Sequence, residues 1–304
     1  MRVNKALISG LAVVVLWASA FPAIRVAAPA LGVNGLSFVR LAVATVALIL
    51  VALIVGARLP KLRDLGWIAA CGFFGMAAYQ LLLNWGELYV PAGTASIIVA
   101  AAPLVSVAVA RILFAERVSW LTVVGSIVAL GGVAFVCLAG SGVSLSNAVW
   151  IVVAAMVAQG IYHPLQRPLL KRYSSIEVAC YAMTAGTIMT LPLVPFDGDS
   201  LLGAGAGPWL AALYLGLLPS AAGFVLWAYA VARMPVATST SLLYLVSPVA
   251  VLIAWVWLGE LPALSQLLGG VVVIIGVVIV SQAPRLLSAH AARRLRGRTD
   301  ANIV

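Results

Sequence analysis

The sequence predicts an all-α integral membrane protein with ten transmembrane helices, arranged as two inverted repeats of five helices. Of its 304 residues, 64% are hydrophobic and 9% are charged, and the mean hydropathy is +1.16. A soluble domain of this size cannot bury so much apolar surface, so lipid must act as its solvent. Two further observations support this prediction. The charges of the loops fall on two sides of the membrane, and the chain contains an internal repeat.

Charged residues and turn formers divide the chain into ten apolar segments of about 20 residues, the length that crosses a hydrocarbon layer. The predicted spans cover residues 6–26, 33–55, 65–86, 91–113, 119–139, 147–167, 176–195, 208–231, 235–258 and 262–282. These runs lack strict alternation of apolar and polar residues, which argues against a transmembrane β-barrel. Ala18-Ser19-Ala20 resembles a signal-peptide cleavage site, but the apolar run continues past it, which favours a first span.

The charges in the loops fall on two sides when ten spans are drawn. One side receives the cations of the C-terminal tail and Arg2, Lys5, Arg58, Lys61, Arg63, Arg117, Lys171, Arg172 and Arg233. The other side receives Glu87, Asp197, Asp199 and Glu260. The positive-inside rule therefore places both termini in the cytoplasm. The Arg-rich balance favours a bacterial source and hence the inner membrane. The net charge of +10 belongs to loops beside anionic lipid, so no nucleic-acid partner is expected.

An internal repeat relates the two halves of the chain. An offset of 144 residues aligns Pro91 with Pro235, Thr94 with Thr238, Glu116 with Glu260, Gly125 with Gly269 and Gly132 with Gly276. An offset of 142 aligns a Pro-x-x-Arg motif at 22–25 with one at 164–167. We predict a first repeat at 1–142, a second at 143–283 and a basic cytoplasmic tail at 284–304. Five spans per repeat invert the second half, a plan that places substrate near the membrane midplane.

Four stretches of the chain resemble the EamA-type transporters of the drug/metabolite transporter superfamily. They are Leu16-Trp17-Ala18-Ser19-Ala20-Phe21-Pro22, Pro91-Ala92-Gly93-Thr94-Ala95-Ser96, Phe114-Ala115-Glu116-Arg117-Val118-Ser119 and Leu258-Gly259-Glu260-Leu261. The resemblance covers residues 6–282. It implies ten helices around a central cavity and export of amino acids, other metabolites or drugs.

Polar and aromatic residues within spans are the candidates for a substrate site, because lipid exposure of such polar groups is costly. Several share helix faces at spacings of three and four residues. The predicted substrate-binding residues are Trp17, Phe21, Tyr79, Gln80, Asn84, Ser96, Gln159, Tyr162, His163, Tyr244 and Ser247. Pro103 and Pro248 are expected to kink spans four and nine. The alternative is that these polar groups only pair across helices.

Arg40 lies inside span two, and its predicted partner is Glu87 or else a substrate carboxylate. No Asp or Glu occupies mid-span and no nucleotide-binding loop occurs. His163 or Glu87 could serve proton coupling. Uncoupled transport is favoured over proton coupling through either residue. The pocket predicted from the residues suits a neutral or zwitterionic solute with an apolar part.

The predicted function is secondary transport of a small metabolite such as an amino acid by alternating access, with export implied by the family resemblance. The alternatives are proton-coupled drug or toxic-compound efflux, a channel, and a membrane-embedded enzyme. An enzyme is not expected, since no converging catalytic set is visible. Neither a cofactor nor a metal site is expected, because Cys71, Cys137 and Cys180 lie alone in apolar runs. The expected partners are the lipid bilayer and a small-molecule substrate. The glycines of spans five and ten suit internal packing or a homodimer.

Overall fold

The computed structural model describes residues 5–115, 119–139, 147–234, 242–276 and 278–279. Within these ranges every regular element is helical, which confirms the all-α prediction. The predicted repeat boundary at 142/143 and the predicted tail at 284–304 lie outside the described residues. The same holds for Glu116, Arg117, Pro235, Thr238, Thr240 and the side chains of Cys137 and Tyr244.

The described helices follow the predicted spans along the chain. In chain order they are α1 Lys5–Leu31, α2 Val33–Ile54, α3 Leu62–Gly86, α4 Ala92–Phe114, α5 Trp120–Ala139, α6 Asn147–Leu165, α7 Ser175–Gly203, α8 Ala206–Arg233, α9 Val246–Leu258 and α10 Leu264–Gly276. A short helix, Arg167–Leu170, continues α6. Seven of these helices, α1–α4 and α6–α8, are long and apolar enough to cross a membrane. The fully described apolar parts of α5, α9 and α10 are shorter. The chain is therefore a multi-pass membrane protein.

The repeat is visible in two irregular features of the backbone. A wide π-type turn interrupts α3 at Gly72–Ala78, and another interrupts α8 at Gly216–Ala222. The residues that follow α4 and α9, Ala115 and Gly259, both adopt the left-handed conformation, with φ of 52° and 69°. Both pairs are separated by the offset of 144 residues found in the sequence. Local departures from α-helical geometry were thus retained in both halves of the chain.

The two halves interlock through their first helices. Helix α1 packs against α8 and α9 of the second half, and α6 packs against α3 and α4 of the first half. Helices α2 and α7 pack against each other between the halves. Each half therefore supplies walls to the space enclosed by α1, α3, α4, α6 and α9.

Helices α5 and α10 of the same chain pack closely against each other at glycine residues. A Cβ atom added to Gly132 would lie 2.8 Å from the backbone nitrogen of Val273, and one added to Gly276 would lie 2.6 Å from the carbonyl oxygen of Gly125. Backbones approach this closely only where side chains are absent. These glycines are used inside the chain, so a homodimer, which stays a prediction, needs another surface.

Charged side chains tie the helices together at the end of the molecule where α2 finishes. Arg58, between α2 and α3, forms a 3.1 Å ion pair with Glu177 of α7. This hydrogen-bonded pair raises the pKa of the Arg58 guanidinium above its ordinary value. Nearby, Asp64 accepts hydrogen bonds from Arg172 and, at 2.7 Å, from the Tyr173 hydroxyl. Cations that the sequence placed on one side of the membrane thus meet at one end of the bundle.

Asp197 caps the other end of α2. Its carboxylate oxygen accepts hydrogen bonds from the backbone N–H groups of Asn34 at 2.6 Å and Gly35 at 3.0 Å. A carboxylate is favourable there because the N-terminus of a helix carries unpaired N–H groups and partial positive charge. Gly32 turns the chain between α1 and α2 with φ +72°, and a Cβ at this position would collide with Asp197. The short α1–α2 connection therefore depends on both residues.

We predict that Gly276→Ala destabilises the protein, whereas Gly131→Ala does not. The added methyl group at Gly276 meets the backbone of α5, while a Cβ at Gly131 meets no atom within 4 Å. Overpacking of this kind costs roughly 1–3 kcal/mol. The measurement is the melting temperature of each variant in the same detergent. Equal melting temperatures for the two variants would show that α5 and α10 do not depend on this contact.

Candidate substrate-binding site

A central cavity lies between the two halves of the chain. Polar and aromatic groups reach it from four helices: Trp17 and Phe21 of α1, Tyr79 of α3, Ser96 of α4, and Gln159 and His163 of α6. Apolar side chains complete the lining, at Val99, Ala100, Ala102, Pro103, Leu243 and Val246. The cavity volume is about 30 Å³. This is room for about two waters, so a larger solute requires the helices to separate.

Trp17 is held against α8 by its indole ring. Its Nε1–H donates a 3.0 Å hydrogen bond to the carbonyl oxygen of Pro219, within the π-type turn of α8. The ring lies 5.1 Å from that of Phe224 and 5.5 Å from that of Trp227. A Cβ at Gly223 would lie 2.8 Å from the indole nitrogen, so this glycine makes room for the ring. The aromatic side of the cavity is therefore built by contacts between the halves.

The polar side of the cavity is formed by α6. His163 Nδ1 lies 3.3 Å from the hydroxyl of Ser106, which also donates to the carbonyl of Gly160 at 2.8 Å. His163 Nε2 and Gln159 Oε1 are buried without a protein hydrogen-bond partner. Buried polar atoms are normally paired. These two atoms are therefore available to a solute or to water.

Helix α4 breaks beside the cavity, at the position where the sequence predicted a kink. Its two parts, Ala92–Val99 and Ala102–Phe114, are separated by two residues, and Pro103 stands in the first turn of the second part. Proline lacks an N–H group and favours such a position. The break exposes Ala100 and the Pro103 ring to the cavity.

Two predicted site residues have other contacts in the structure. The Tyr162 hydroxyl donates to Gln166 at 3.5 Å, and its ring packs on Phe224 and on the space left by Gly75. Ser247 donates a 2.8 Å hydrogen bond to the carbonyl of Ser96, which links α9 to α4. Neither side chain lines the cavity, so any contact of either with substrate stays a prediction.

A buried polar cluster lies between α2 and α3, and we call it the α2–α3 cluster. It comprises Arg40, Gln80, Asn84 and Glu87, whose exposed fractions are 3%, 0%, 0% and 1%. Arg40 Nε donates to the Ser220 hydroxyl at 2.8 Å, and Asn84 Nδ2 donates to the Ser37 hydroxyl at 2.8 Å. The structure forms no direct ion pair between Arg40 and Glu87. None of the four lines the central cavity as it stands.

Arg25 closes the end of the bundle near α9 and α10. Its guanidinium forms a 3.4 Å ion pair with Glu260 and donates to the backbone carbonyl of Glu87 at 2.6 Å. Glu260 also accepts a 3.2 Å hydrogen bond from the backbone N–H of Ala92. These contacts connect α1, α4 and the α9–α10 connection. The sequence placed both residues in positions that recur in the two halves. Nothing in the sequence near either residue predicted their contact across the halves.

Comparisons with known proteins concern the family and the fold of the chain. The profile of the EamA-like transporter family matches twice, at residues 4–138 and 146–282. A relative from Streptantibioticus cattleyicolor, named "Probable terminal-alkyne amino-acid exporter", is 51% identical over 93% of this chain and 95% of its own length. The "Uncharacterized transporter YdfC" of Bacillus subtilis is 34% identical over 92% of this chain and 94% of its own. A solved structure titled "Crystal structure of protein" has a TM-score of 0.68 at 19% identity. It covers 90% of this chain and 96% of that one, and it shows the shared fold alone.

We predict that Glu260→Gln opens the cavity to the Arg25 end. The test residue is a cysteine at Ala100, labelled in spheroplasts by a membrane-impermeant maleimide. A partly exposed ion pair contributes about 0.2–1 kcal/mol, so the labelling rate should rise by a factor of roughly 1.4 to 5. The chain without the Ala100 cysteine gives the background from the three native cysteines.

The control for this prediction is Asp199→Asn, which removes an exposed carboxylate from the connection after α7. It should leave the labelling rate unchanged. Equal rates for Glu260→Gln and its parent would contradict a closing role for the ion pair.

Proposed function

Because this chain belongs to the EamA-like transporter family, we propose that it exports an α-amino acid with a small apolar side chain. The family is matched by both halves of the chain, and its named relatives are transporters. The protein is accordingly a membrane transporter and not an enzyme. Two copies of the family domain in one chain fit an inverted repeat. Membership places it in the drug/metabolite transporter superfamily that the sequence motifs indicated.

The observation that carries the proposed substrate is the relative from Streptantibioticus cattleyicolor. Its identity of 51% extends over nearly the whole of both chains, so both repeats are comparable throughout. Its name specifies an amino acid with a terminal alkyne, which is an apolar group. The lining of the central cavity supports the same class of substrate, because Trp17 and Phe21 offer aromatic surface beside the polar groups of α6.

The size of the cavity supports alternating access. Ligand pockets usually measure about 300–1,000 Å³, whereas this cavity measures about 30 Å³. We infer that α1 and α6, which cross between the halves, move apart to admit the substrate from one side at a time. The substrate residues predicted from sequence on these helices are Trp17, Phe21, Gln159, Tyr162 and His163, of which all but Tyr162 line the cavity.

The proposed topology has ten spans, both termini in the cytoplasm and the protein in the bacterial inner membrane. Support comes from the positive-inside distribution of the loop cations. Arg58 and Arg172, which the rule assigns to the cytoplasm, lie at the same end of the bundle in contact with Glu177 and Asp64. A homodimer is retained as a proposal without an assigned surface.

Energy coupling has two candidate forms. Uncoupled exchange is the first, because no described helix holds an acidic residue near its middle. Proton-coupled efflux is the second, and one observation favours it: both carboxylate oxygens of Glu87 are buried without a protein partner. A proton or a cationic group can occupy such a carboxylate. Drug or toxic-compound efflux belongs to this second form.

The test is counterflow in proteoliposomes loaded with norvaline. The external probe is 2-aminopent-4-ynoic acid, an α-amino acid with the same number of carbons and a terminal alkyne. Its uptake is read by copper-catalysed addition of a fluorescent azide after lysis. We expect saturable uptake above that of liposomes without protein. Dependence on an imposed pH gradient would select the coupled form.

We further predict that Trp17→Ala lowers this uptake by at least about tenfold. Loss of a large apolar contact costs about 1.5–3 kcal/mol, and each 1.36 kcal/mol is a factor of ten. The matched control is Trp150→Ala on α6, whose side chain is exposed on the surface of the bundle. Uptake by the Trp17 variant equal to that of the control would remove the central cavity from the proposal. Non-saturating flux would indicate a channel, and no uptake by folded protein would reject the amino acid.

A further inference from the structure

We propose that the α2–α3 cluster binds the charged groups of the transported amino acid. Arg40 binds the α-carboxylate and Glu87 binds the α-ammonium, while the side chain occupies the central cavity. This inference rests on the proposed function and specifies which part of the substrate each region recognises. It assigns a role to a pair of buried charges that do not contact each other.

The burial of these two charges is the first step of the argument. A charged side chain removed from water is normally paired, because isolated burial costs several kcal/mol. Glu87 is 1% exposed, yet neither carboxylate oxygen has a protein hydrogen-bond partner. Arg40 is 3% exposed, and its Nη1 has no partner either. Arg25, which donates to the Glu87 backbone carbonyl, directs its own ion pair to Glu260. The two buried charges therefore keep unused hydrogen-bonding capacity for a ligand that carries both signs.

The amides of the cluster complete a matching set of donors and acceptors. Gln80, Asn84 and Glu87 are spaced four and three residues apart, so they share one face of α3. Both amide atoms of Gln80 and the Oδ1 of Asn84 lack a protein partner. Donors therefore remain on Arg40 and Gln80, and acceptors remain on Gln80, Asn84 and Glu87. An α-carboxylate needs only donors and an α-ammonium needs only acceptors.

The remaining hydrogen bonds of the cluster hold it in position. Arg40 is fixed to α8 through Ser220, a residue of the π-type turn at Gly216–Ala222. Asn84 is fixed to α2 through Ser37. Charge-assisted hydrogen bonds to a preorganised guanidinium are among the stronger polar contacts in proteins. These two bonds use Arg40 Nε and Asn84 Nδ2, and they leave Arg40 Nη1 and Asn84 Oδ1 for the substrate.

Tyr79 connects the cluster to the central cavity. Its side chain lines the cavity, and Gln80 of the cluster is the next residue on α3. A solute of amino-acid size can thus place an apolar chain near Trp17 and its charged groups near α2 and α3 once the helices separate.

The experiment measures inhibition of 2-aminopent-4-ynoic acid uptake in the same proteoliposomes. Three competitors are compared: norvaline carries both charges, norvalinamide lacks the carboxylate, and N-acetylnorvaline lacks the ammonium. For the unaltered protein we expect each derivative to need at least a tenfold higher concentration than norvaline for half inhibition. Equal inhibition by all three would overturn the proposal.

The variants test which residue binds each charged group of the substrate. Arg40→Gln should remove the difference between norvaline and norvalinamide while keeping that between norvaline and N-acetylnorvaline. Glu87→Gln should remove the difference between norvaline and N-acetylnorvaline while keeping that between norvaline and norvalinamide. Each derivative is compared with norvaline by the ratio of their half-inhibitory concentrations. A residue with only a structural role would lower uptake without changing these ratios. Arg63→Gln and Asp199→Asn, which alter exposed charges, should keep both ratios.

Folding is checked by gel filtration in detergent. If a Gln variant does not fold, Arg40→Lys and Glu87→Asp keep the sign of the charge and should weaken the corresponding ratio. Folded variants that retain both ratios would overturn the assignment while leaving the proposed function intact. Absence of any uptake by the unaltered protein would overturn the proposed function and this inference together.

Discussion

Every peptide group inside a hydrocarbon layer must find its hydrogen-bond partner within the protein, and this constraint determines the architecture. It accounts for the helices that make up the regular structure of the described residues. It also limits where the helices can depart from regular geometry. In α8 the departure is the turn at Gly216–Ala222, where the carbonyl of Pro219 pairs with the Trp17 indole. An irregularity in the backbone is thus coupled to a residue of the central cavity.

Duplication supplied two similar halves, and divergence made the cavity between them asymmetric. Helix α1 contributes Trp17 and Phe21, and its repeat mate α6 contributes Gln159 and His163 at the equivalent positions. The cavity consequently has an aromatic side and a polar side. A pseudo-symmetric scaffold can move both halves in related ways, while an asymmetric lining can recognise a solute whose two ends differ. The paired turns in α3 and α8 are a feature of the scaffold that both halves share.

A large part of the candidate site was predictable from helical periodicity. Trp17, Phe21, Gln159 and His163 were found because polar or aromatic groups recur on one face of a span, and all four line the cavity. Tyr162 was assigned to the same region but packs against Phe224, since Gly75 on α3 leaves space for its ring. Helical periodicity predicts which residues share a face of a helix. It does not predict which helix packs against that face. Arg25 and Glu260 show the same limit, because their contact joins residues far apart in the chain.

The sequence by itself determined the class of the protein, the approximate positions of its helices and the repeat. These properties depend on composition, on the length of apolar runs and on matching positions, all of which are local or periodic. The tertiary structure decided which groups are paired. It showed the glycines of α5 and α10 in contact within one chain, and it showed Arg40 bound to Ser220 without an ion pair to Glu87. Such outcomes depend on how helices rotate and approach one another. That is set by the packing of the whole bundle, and no single segment of sequence contains it.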